Sequence, residues 1–159
     1  MAKYKVIGID SAIKELEKLA DDSSDIMKMC VYDGANVVAD AVRKNIQGLP
    51  TRDAKGSHKA RQRGVTPEEK EGLLNGLGVA RHRDANGVVD TVVGFDGYIN
   101  NPTEKYPKGH AVSMVARSVE VGTSWLVKTP FIRPAINSSS NAAVAAMSKR
   151  FDEEIKKRG

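Results

Sequence analysis

The sequence predicts an α+β fold, in which a small antiparallel sheet with a β-hairpin packs against a long N-terminal helix and a C-terminal helix. Three observations predict it: an apolar stripe at helical spacing over residues 24–46, a hairpin turn at residues 84–87, and a second apolar stripe near the end of the chain. The 159 residues are 40% apolar and 28% charged, which is typical of a globular domain. We therefore expect a single domain over residues 1–159.

The long N-terminal helix is predicted over residues 24–46. A shorter helical run precedes it and breaks at residues 21–24, where side chains that favour helix caps gather. Gly48 and Pro50 predict the end of the long helix. Its core-facing stripe is formed by Met27, Cys30, Val31, Gly34, Val38, Ala41 and Asn45, widened by Val37 and Val42.

A short helix and a hairpin are predicted next. Residues 66–69 read Thr-Pro-Glu-Glu, with threonine at the cap, proline in the first turn and glutamate three residues after the cap. This helix is expected to end at Gly76 or Gly78. Two β-type runs, residues 79–83 and 88–95, then flank a turn that contains Asn-Gly, a strong hairpin signal.

The C-terminal part alternates loops and helices. We predict a loop over residues 97–109, a helix over residues 111–120, an irregular segment over residues 121–136, and a last helix capped at residues 138–140. The last helix carries an apolar stripe formed by Val144, Met147, Phe151 and Ile155.

Residues 51–65 are basic and show no apolar periodicity. We predict a mobile, solvated loop within the domain. Its cationic side chains are candidates for contact with a partner or with DNA; they are Arg52, Lys55, Lys59, Arg61 and Arg63. The net charge of +5 permits attraction to nucleic acid, but the segment has no aromatic side chain to stack on bases.

The sequence offers no constellation for catalysis, metal binding or cofactor binding. His58, His82 and His110 are far apart, and none has a partner at the spacing of a metal site. We therefore expect no enzyme activity, no catalytic residue, no metal and no cofactor. Cys30 is the only cysteine, which excludes an internal disulfide and favours a reducing, cytoplasmic setting. No run approaches the roughly 20 apolar residues that span a membrane.

Residues 119–136 combine the only tryptophan with two prolines that bracket an arginine. Glycine and threonine permit a bend here, and the residue before a proline is held extended. We expect Trp125 and Phe131 to anchor the last helix on the sheet, and Arg133 to pair with a carboxylate such as that of Glu120. The predicted structural corner comprises Glu120, Gly122, Thr123, Trp125, Pro130, Phe131, Arg133 and Pro134.

Two motifs in this corner carry a resemblance. Residues 120–123 read E-V-G-T and residues 130–135 read P-F-I-R-P-A. The pair E-x-G-T and P-F-x-R-P-A resembles the signature of the tailed-bacteriophage tail-component family, the small head–tail joining or tail-completion proteins of long-tailed phages. The resemblance covers about residues 12–157, and residues 51–76 depart from the shorter members, which have a brief turn there.

The resemblance implies a structural, non-enzymatic virion protein of the neck, assembled in the cytoplasm of the bacterial host. It implies a homo-oligomeric ring, expected to be six-fold, between connector or stopper proteins and the tail terminator or tail tube. DNA would pass through the channel without sequence specificity, and no membrane is involved. Contacts between subunits are then expected at the hairpin residues Asp84, Asn86 and Gly87.

Three alternatives stay open at this stage. A tail terminator ring, which caps the polymerising tube, is the closest to the leading hypothesis. A basic nucleic-acid-binding module would use the segment over residues 51–65. A small hydrolase has the least support, because the sequence contains no nucleophile motif.

Overall fold

The computed structural model of the chain describes residues 9–53 and 61–158, with side chains from Asp21 onward. It is an α+β fold with a long N-terminal helix, as the sequence predicts. The elements in chain order are α1 Ile9–Gln47, β1 Gln62–Arg63, α2 Pro67–Gly76, β2 Leu77–Val79, β3 Arg83–Ala85, β4 Val88–Asp90, β5 Val93–Phe95, α3 Val112–Val121, β6 Leu126–Val127 and α4 Ile132–Arg158.

The predicted hairpin is confirmed, and it is built in two steps. β3 and β4 pair antiparallel around Asn86 and Gly87, which have φ values of 56° and 76° and therefore suit the tight turn that favours Asn-Gly. Below this tip, β2 and β5 pair antiparallel, with Leu77 opposite Phe95. A further pair, β1 with β6, is parallel and was not predicted.

α1 runs without interruption, so the predicted break at residues 21–24 is wrong. The polar side chains of this stretch bind other elements instead of capping a helix end. Asp22 Oδ1 lies 3.0 Å from Arg158 Nη1, and Ser24 Oγ donates a hydrogen bond to Asp84 Oδ2 at 2.7 Å. Local cap signals are therefore outweighed by tertiary contacts along the helix.

α4 packs antiparallel along α1. Asp33 Oδ2 lies 2.8 Å from Arg150 Nε, and Asn45 Nδ2 donates to the carbonyl of Phe131 at the other end of the pair. Ile26 is buried and the predicted Met27 is 44% exposed, because the buried face of α1 here follows Ile26 and Cys30, which lie four residues apart.

The start of α4 also differs from the prediction. The helix begins at Ile132 and not at residues 138–140, because its first turn is capped by a side chain from α3, described below. Its buried face consists of Ala135, Ser139, Ala143 and Glu154. The predicted stripe lies beside this face, and Val144, Phe151 and Ile155 are exposed. Met147, the fourth residue of the stripe, packs against Gly34 of α1.

The hydrophobic core joins the C-terminal end of α1 to α2, α3 and the strands. Burying such side chains contributes about 1.5–3 kcal/mol each. The cluster comprises Val42, Ile46, Leu49, Val65, Leu73, Leu77, Ile99, Val112, Val115, Ala116, Val119, Leu126, Phe131 and Ala135. The predicted stripe of α3 is confirmed by the burial of Val112, Val115, Ala116 and Val119.

The close contact of the two long helices gives a test. A Cβ added at Gly34 would lie 2.7 Å from Cγ of Met147, so Gly34→Leu should force the helices apart. We expect this variant to lower the free energy of unfolding by about 2 kcal/mol through overpacking. Urea unfolding followed by circular dichroism measures the change. Lys44→Leu, at an exposed position of the same helix, is the control and should change it by less than about 0.5 kcal/mol.

Candidate functional site

The predicted corner is organised by the carboxylate of Glu120. Its two oxygens accept hydrogen bonds from the backbone amides of Phe131 at 2.7 Å, Ile132 at 2.8 Å and Arg133 at 3.0 Å. The fourth residue of this turn is Pro134, which has no amide hydrogen. Glu120 therefore satisfies the amides that the first turn of a helix leaves free.

These hydrogen bonds control the ionisation of the cap. Burial by itself raises the pKa of Glu120, but the amides of Ile132, Phe131 and Arg133, with the Arg133 guanidinium, outweigh burial. The pKa therefore lies below the usual range of a glutamate. Arg133 contacts Glu120, but not through the ion pair that was predicted. Its backbone amide donates the hydrogen bond, and its side chain is exposed.

A tight turn joins α3 to β6. Gly122 has a φ of 79°, and a Cβ there would lie 2.9 Å from the amide nitrogen of Lys128, so the bend requires glycine. The amide of Thr123 donates to the carbonyl of Leu126, and the Thr123 hydroxyl accepts from the amide of Leu126. The predicted bend at these residues is confirmed, and it presents Trp125 at its tip.

The two large aromatic side chains of the corner differ in how deeply they are buried. Phe131 is 1% exposed and meets the ring of Phe95 edge to face at 6.1 Å, so its predicted anchoring role is confirmed. Trp125 is 44% exposed, so the expectation that it anchors α4 is wrong. Its ring lies 5.3 Å from the guanidinium carbon of Arg52, a cation–π distance. Pro130, which precedes Phe131, is exposed.

The basic segment is less free than the sequence predicts. Arg52 Nη2 donates to both carboxylate oxygens of Glu69 at 3.0 and 2.9 Å, and both side chains are largely buried. Arg61 Nη2 donates to the carbonyls of Thr123 at 2.8 Å and Leu126 at 3.1 Å. Arg52 and Arg61 therefore bind within the chain, which corrects the prediction of a wholly solvated loop at both described ends.

The remaining predicted cations differ from these two. Arg63 is exposed and belongs to β1. Lys55 and Lys59 lie outside the described residues. The predicted capping box of α2 is confirmed. The carboxylate of Glu69 accepts hydrogen bonds from the backbone amide of Thr66 and from the guanidinium of Arg52. One carboxylate thus connects a helix start to the basic segment.

A cavity of about 270 Å³ opens beside Trp125. Its floor is apolar and is formed by Val115, Val119 and Leu126, all buried. Its other lining residues are mostly polar or aromatic: Arg52, Glu69, Tyr106, His110, Met114, Ser118 and Trp125. The structure thus brings part of the predicted corner together with residues that we had not singled out. We call this feature the Trp125 cavity.

The wall of the Trp125 cavity is fixed by a loop. The rings of Tyr106 and His110 are 4.7 Å apart, and the amide of His110 donates to Asn101 Oδ1 at 3.0 Å. Asn101 and Tyr106 belong to the predicted loop over residues 97–109, and His110 follows it directly. The only signal was the proximity of an aromatic residue and a histidine in the chain, which is too common to indicate a site.

A second cavity, of about 530 Å³, lies between α2 and the chain at residues 96–100. Three carboxylates line it, from Glu68, Glu71 and Asp96, together with the exposed ring of Tyr98. Side chains of this kind at a surface are usually solvated, and the cavity adds no buried polar group that would bind a ligand.

The hairpin residues predicted to contact other subunits lie at an exposed tip. Asp84 accepts a hydrogen bond from Ser24 and lies 3.9 Å from Lys28 Nζ, so it fastens the hairpin to α1. Asn86 and Gly87 form the turn and are exposed. Of the three, Asp84 is thus used within the chain.

Two further features concern metal binding and membranes. Within residues 9–53 and 61–158, no group of three or more His, Cys, Asp or Glu side chains lies close enough to hold a metal ion. No helix in the same part of the chain is long and apolar enough to cross a membrane.

Comparison with known proteins gives no relative: no protein-family model, no curated protein and no solved structure matches this chain.

The cap at α4 predicts a pH dependence. Because the pKa of Glu120 is lowered in the folded state, its contribution to stability is present above the unfolded pKa and is lost as the pH falls through the folded pKa. We expect Glu120→Ala to lower the free energy of unfolding by about 2 kcal/mol at pH 7. The difference in the free energy of unfolding between wild type and variant should become smaller below about pH 4, near the ordinary glutamate pKa, because the carboxylate is then protonated.

Urea titrations at several pH values measure this difference. Glu104→Ala is the control, because Glu104 is exposed. An equal loss for Glu120→Ala at pH 7 and at pH 3 would contradict the assignment of an ionised cap.

The two classes of cation in the basic segment can be separated. We expect Arg52→Ala to lower the free energy of unfolding by about 3 kcal/mol, because Glu69 would keep a largely buried carboxylate without its cation. Arg63→Ala, at an exposed position, should change it by less than about 0.5 kcal/mol. Equal effects in urea unfolding would show that Arg52 is not a structural residue.

Proposed function

We propose that this chain is a structural protein of the head–tail connector, or neck, of a long-tailed phage, and that it forms a ring between the connector and the tail tube. The proposal places it among tail-completion or head–tail joining proteins and gives it no enzymatic activity. It would act in the virion after assembly in the bacterial host cytoplasm. DNA would pass through the ring without sequence-specific contacts.

The observation that carries the proposal is the contact between the two halves of the motif pair. Glu120 belongs to E-x-G-T, and the three amides that it binds belong to P-F-x-R-P-A. Gly122 and Thr123 supply the turn between these halves, and Phe131 supplies the core contact. The residues of the motifs thus act as one structural unit, which supports the view that they occur together for a reason and not by chance.

The distribution of charge and apolar surface also supports an assembling protein. Two of the basic residues that suggested nucleic-acid binding are used within the chain. Exposed apolar side chains occur on α3, on α4 and at Trp125, as is common where subunits meet. The same features suit a tail terminator ring, which remains the second candidate because both roles require a ring around DNA.

The molar mass of the particle that the chain forms in solution tests the proposal. We expect the purified chain to form a discrete ring, alone or when mixed with the tail tube protein of the same phage, in light scattering and in electron micrographs. Hen lysozyme, a basic protein of similar size, replaces the chain in a control for association by charge alone. A chain that stays monomeric and ignores the tube protein, but binds free duplex DNA in a salt-sensitive way, would contradict the proposal and favour the nucleic-acid-binding alternative.

A further inference from the structure

The exposed stripe of α4 lies on a part of the chain that projects from the core. α1 has 39 residues and is about 58 Å long, whereas a compact domain of 159 residues has a diameter of about 39 Å. The core cluster uses Val42 and Ile46 near one end of α1 and Ala135 in the first turn of α4. The opposite ends of both helices therefore form a two-helix arm, which the hairpin tip contacts through the hydrogen bond between Ser24 and Asp84.

The arm presents an apolar ridge. Val144, Met147, Phe151 and Ile155 follow one another at spacings of three or four residues, which places them on one side of α4. Val144 is 62% exposed, Phe151 45% and Ile155 49%, whereas Met147 packs against Gly34 of α1, so the exposed ridge consists of the other three. We call these four residues the α4 stripe. A stripe at this spacing is typical of a helix face that packs against another surface.

The Trp125 cavity has the complementary shape. It is concave, its floor is apolar, and its volume of about 270 Å³ is just below the range of pockets for small-molecule ligands. That size suits one large side chain. Met114 and Trp125 at its mouth are 41% and 44% exposed. Trp, Tyr and Arg, which all line the cavity, are the residue types that dominate binding energy at protein interfaces.

Charge supports the same pairing. Asp152 follows Phe151 on the arm, and within the described part of the chain no cation forms an ion pair with it. Near the cavity, Lys105 Nζ lies 5.6 Å from the centroid of the Tyr106 ring, and Lys108 is two residues after Tyr106 in the sequence. Neither lysine pairs with a carboxylate among the described residues. Asp152 beside the ridge and Lys105 beside the cavity are thus charges of opposite sign that are free to pair between two copies.

We propose that the α4 stripe of one copy docks on the next copy, with Phe151 in the Trp125 cavity. This inference rests on the proposed function, because a closed ring needs two different surfaces that meet head to tail. The ridge and the cavity are two such surfaces on one chain. A two-fold dimer in which one stripe packs on another would leave the cavity empty.

Complementary variants test the docking. Phe151→Asp disables the ridge and leaves the cavity intact, whereas Met114→Asp disables the cavity and leaves the ridge intact. Each variant alone should weaken association at least about 30-fold in sedimentation velocity, as expected for the loss of a central contact. An equimolar mixture of the two should form a one-to-one dimer that grows no further, because only one competent ridge and one competent cavity remain.

The controls separate misfolding from lost contact. Tyr98→Asp, at a tyrosine that is 63% exposed and lies outside the ridge, the Trp125 cavity and the hairpin tip, should keep the wild-type ring. Circular dichroism and the unfolding midpoint of each variant check that it folds. In the mixture, recovery of the one-to-one dimer shows by itself that both variants fold.

The outcomes distinguish this docking from the proposed function. A wild-type ring that persists in both variants would overturn the docking and leave the proposed function standing. Loss of association in Phe151→Asp, with normal association of Met114→Asp and no dimer in the mixture, would replace the docking with a stripe-on-stripe dimer. A wild-type chain that stays monomeric at high concentration, with and without tail tube protein, would overturn both.

Discussion

The fold depends on one carboxylate, because Glu120 fixes where α4 begins. The first turn of a helix leaves four amide positions without a partner within the helix. In α4, Glu120 takes three of them and the fourth is Pro134, so the whole turn is satisfied. Because Glu120 lies on α3, the same bonds set the angle between the two helices. That angle places Phe131 in the core, where it meets Phe95.

The sequence predicts those parts of the molecule whose determinants are local. The capping box at Thr66, the Asn86-Gly87 turn and the stripe of α3 each depend on residues a few positions apart, and all three are confirmed. The predicted start of α4 was wrong because the helix is capped by Glu120, which lies eleven residues before Phe131 in the sequence. The predicted break in α1 was wrong because Ser24 does not cap a helix end but donates a hydrogen bond to Asp84, sixty residues away. Residues predicted to cap helices here do not cap them, and the contacts that decide both places could not be deduced from short-range patterns.

The candidate site shows the same division. The corner motif and its bend at Gly122 follow from residue type, because a positive φ there needs glycine. The basic segment was misjudged because a count of charges does not reveal which of them have partners. Arg52 is held by Glu69 and stacks on Trp125, so it stabilises the corner that shapes the cavity. The cavity itself could not be predicted, since Tyr106 and Met114 carry no pattern that links them to Trp125.

The arm differs from the core in what holds it together. Along its length, α1 and α4 meet through ion pairs such as Asp33 with Arg150, and Met147 of α4 packs against Gly34 of α1. Val144, Phe151 and Ile155 of the α4 stripe are exposed. Partly exposed ion pairs fix the register of two helices but stabilise them little. Ile26, Cys30 and Ala143 are already buried in the arm, and the exposed residues of the α4 stripe offer further apolar surface to a partner. Any partner that covers the stripe stabilises the arm by mass action, so folding of the arm and assembly should be thermodynamically coupled.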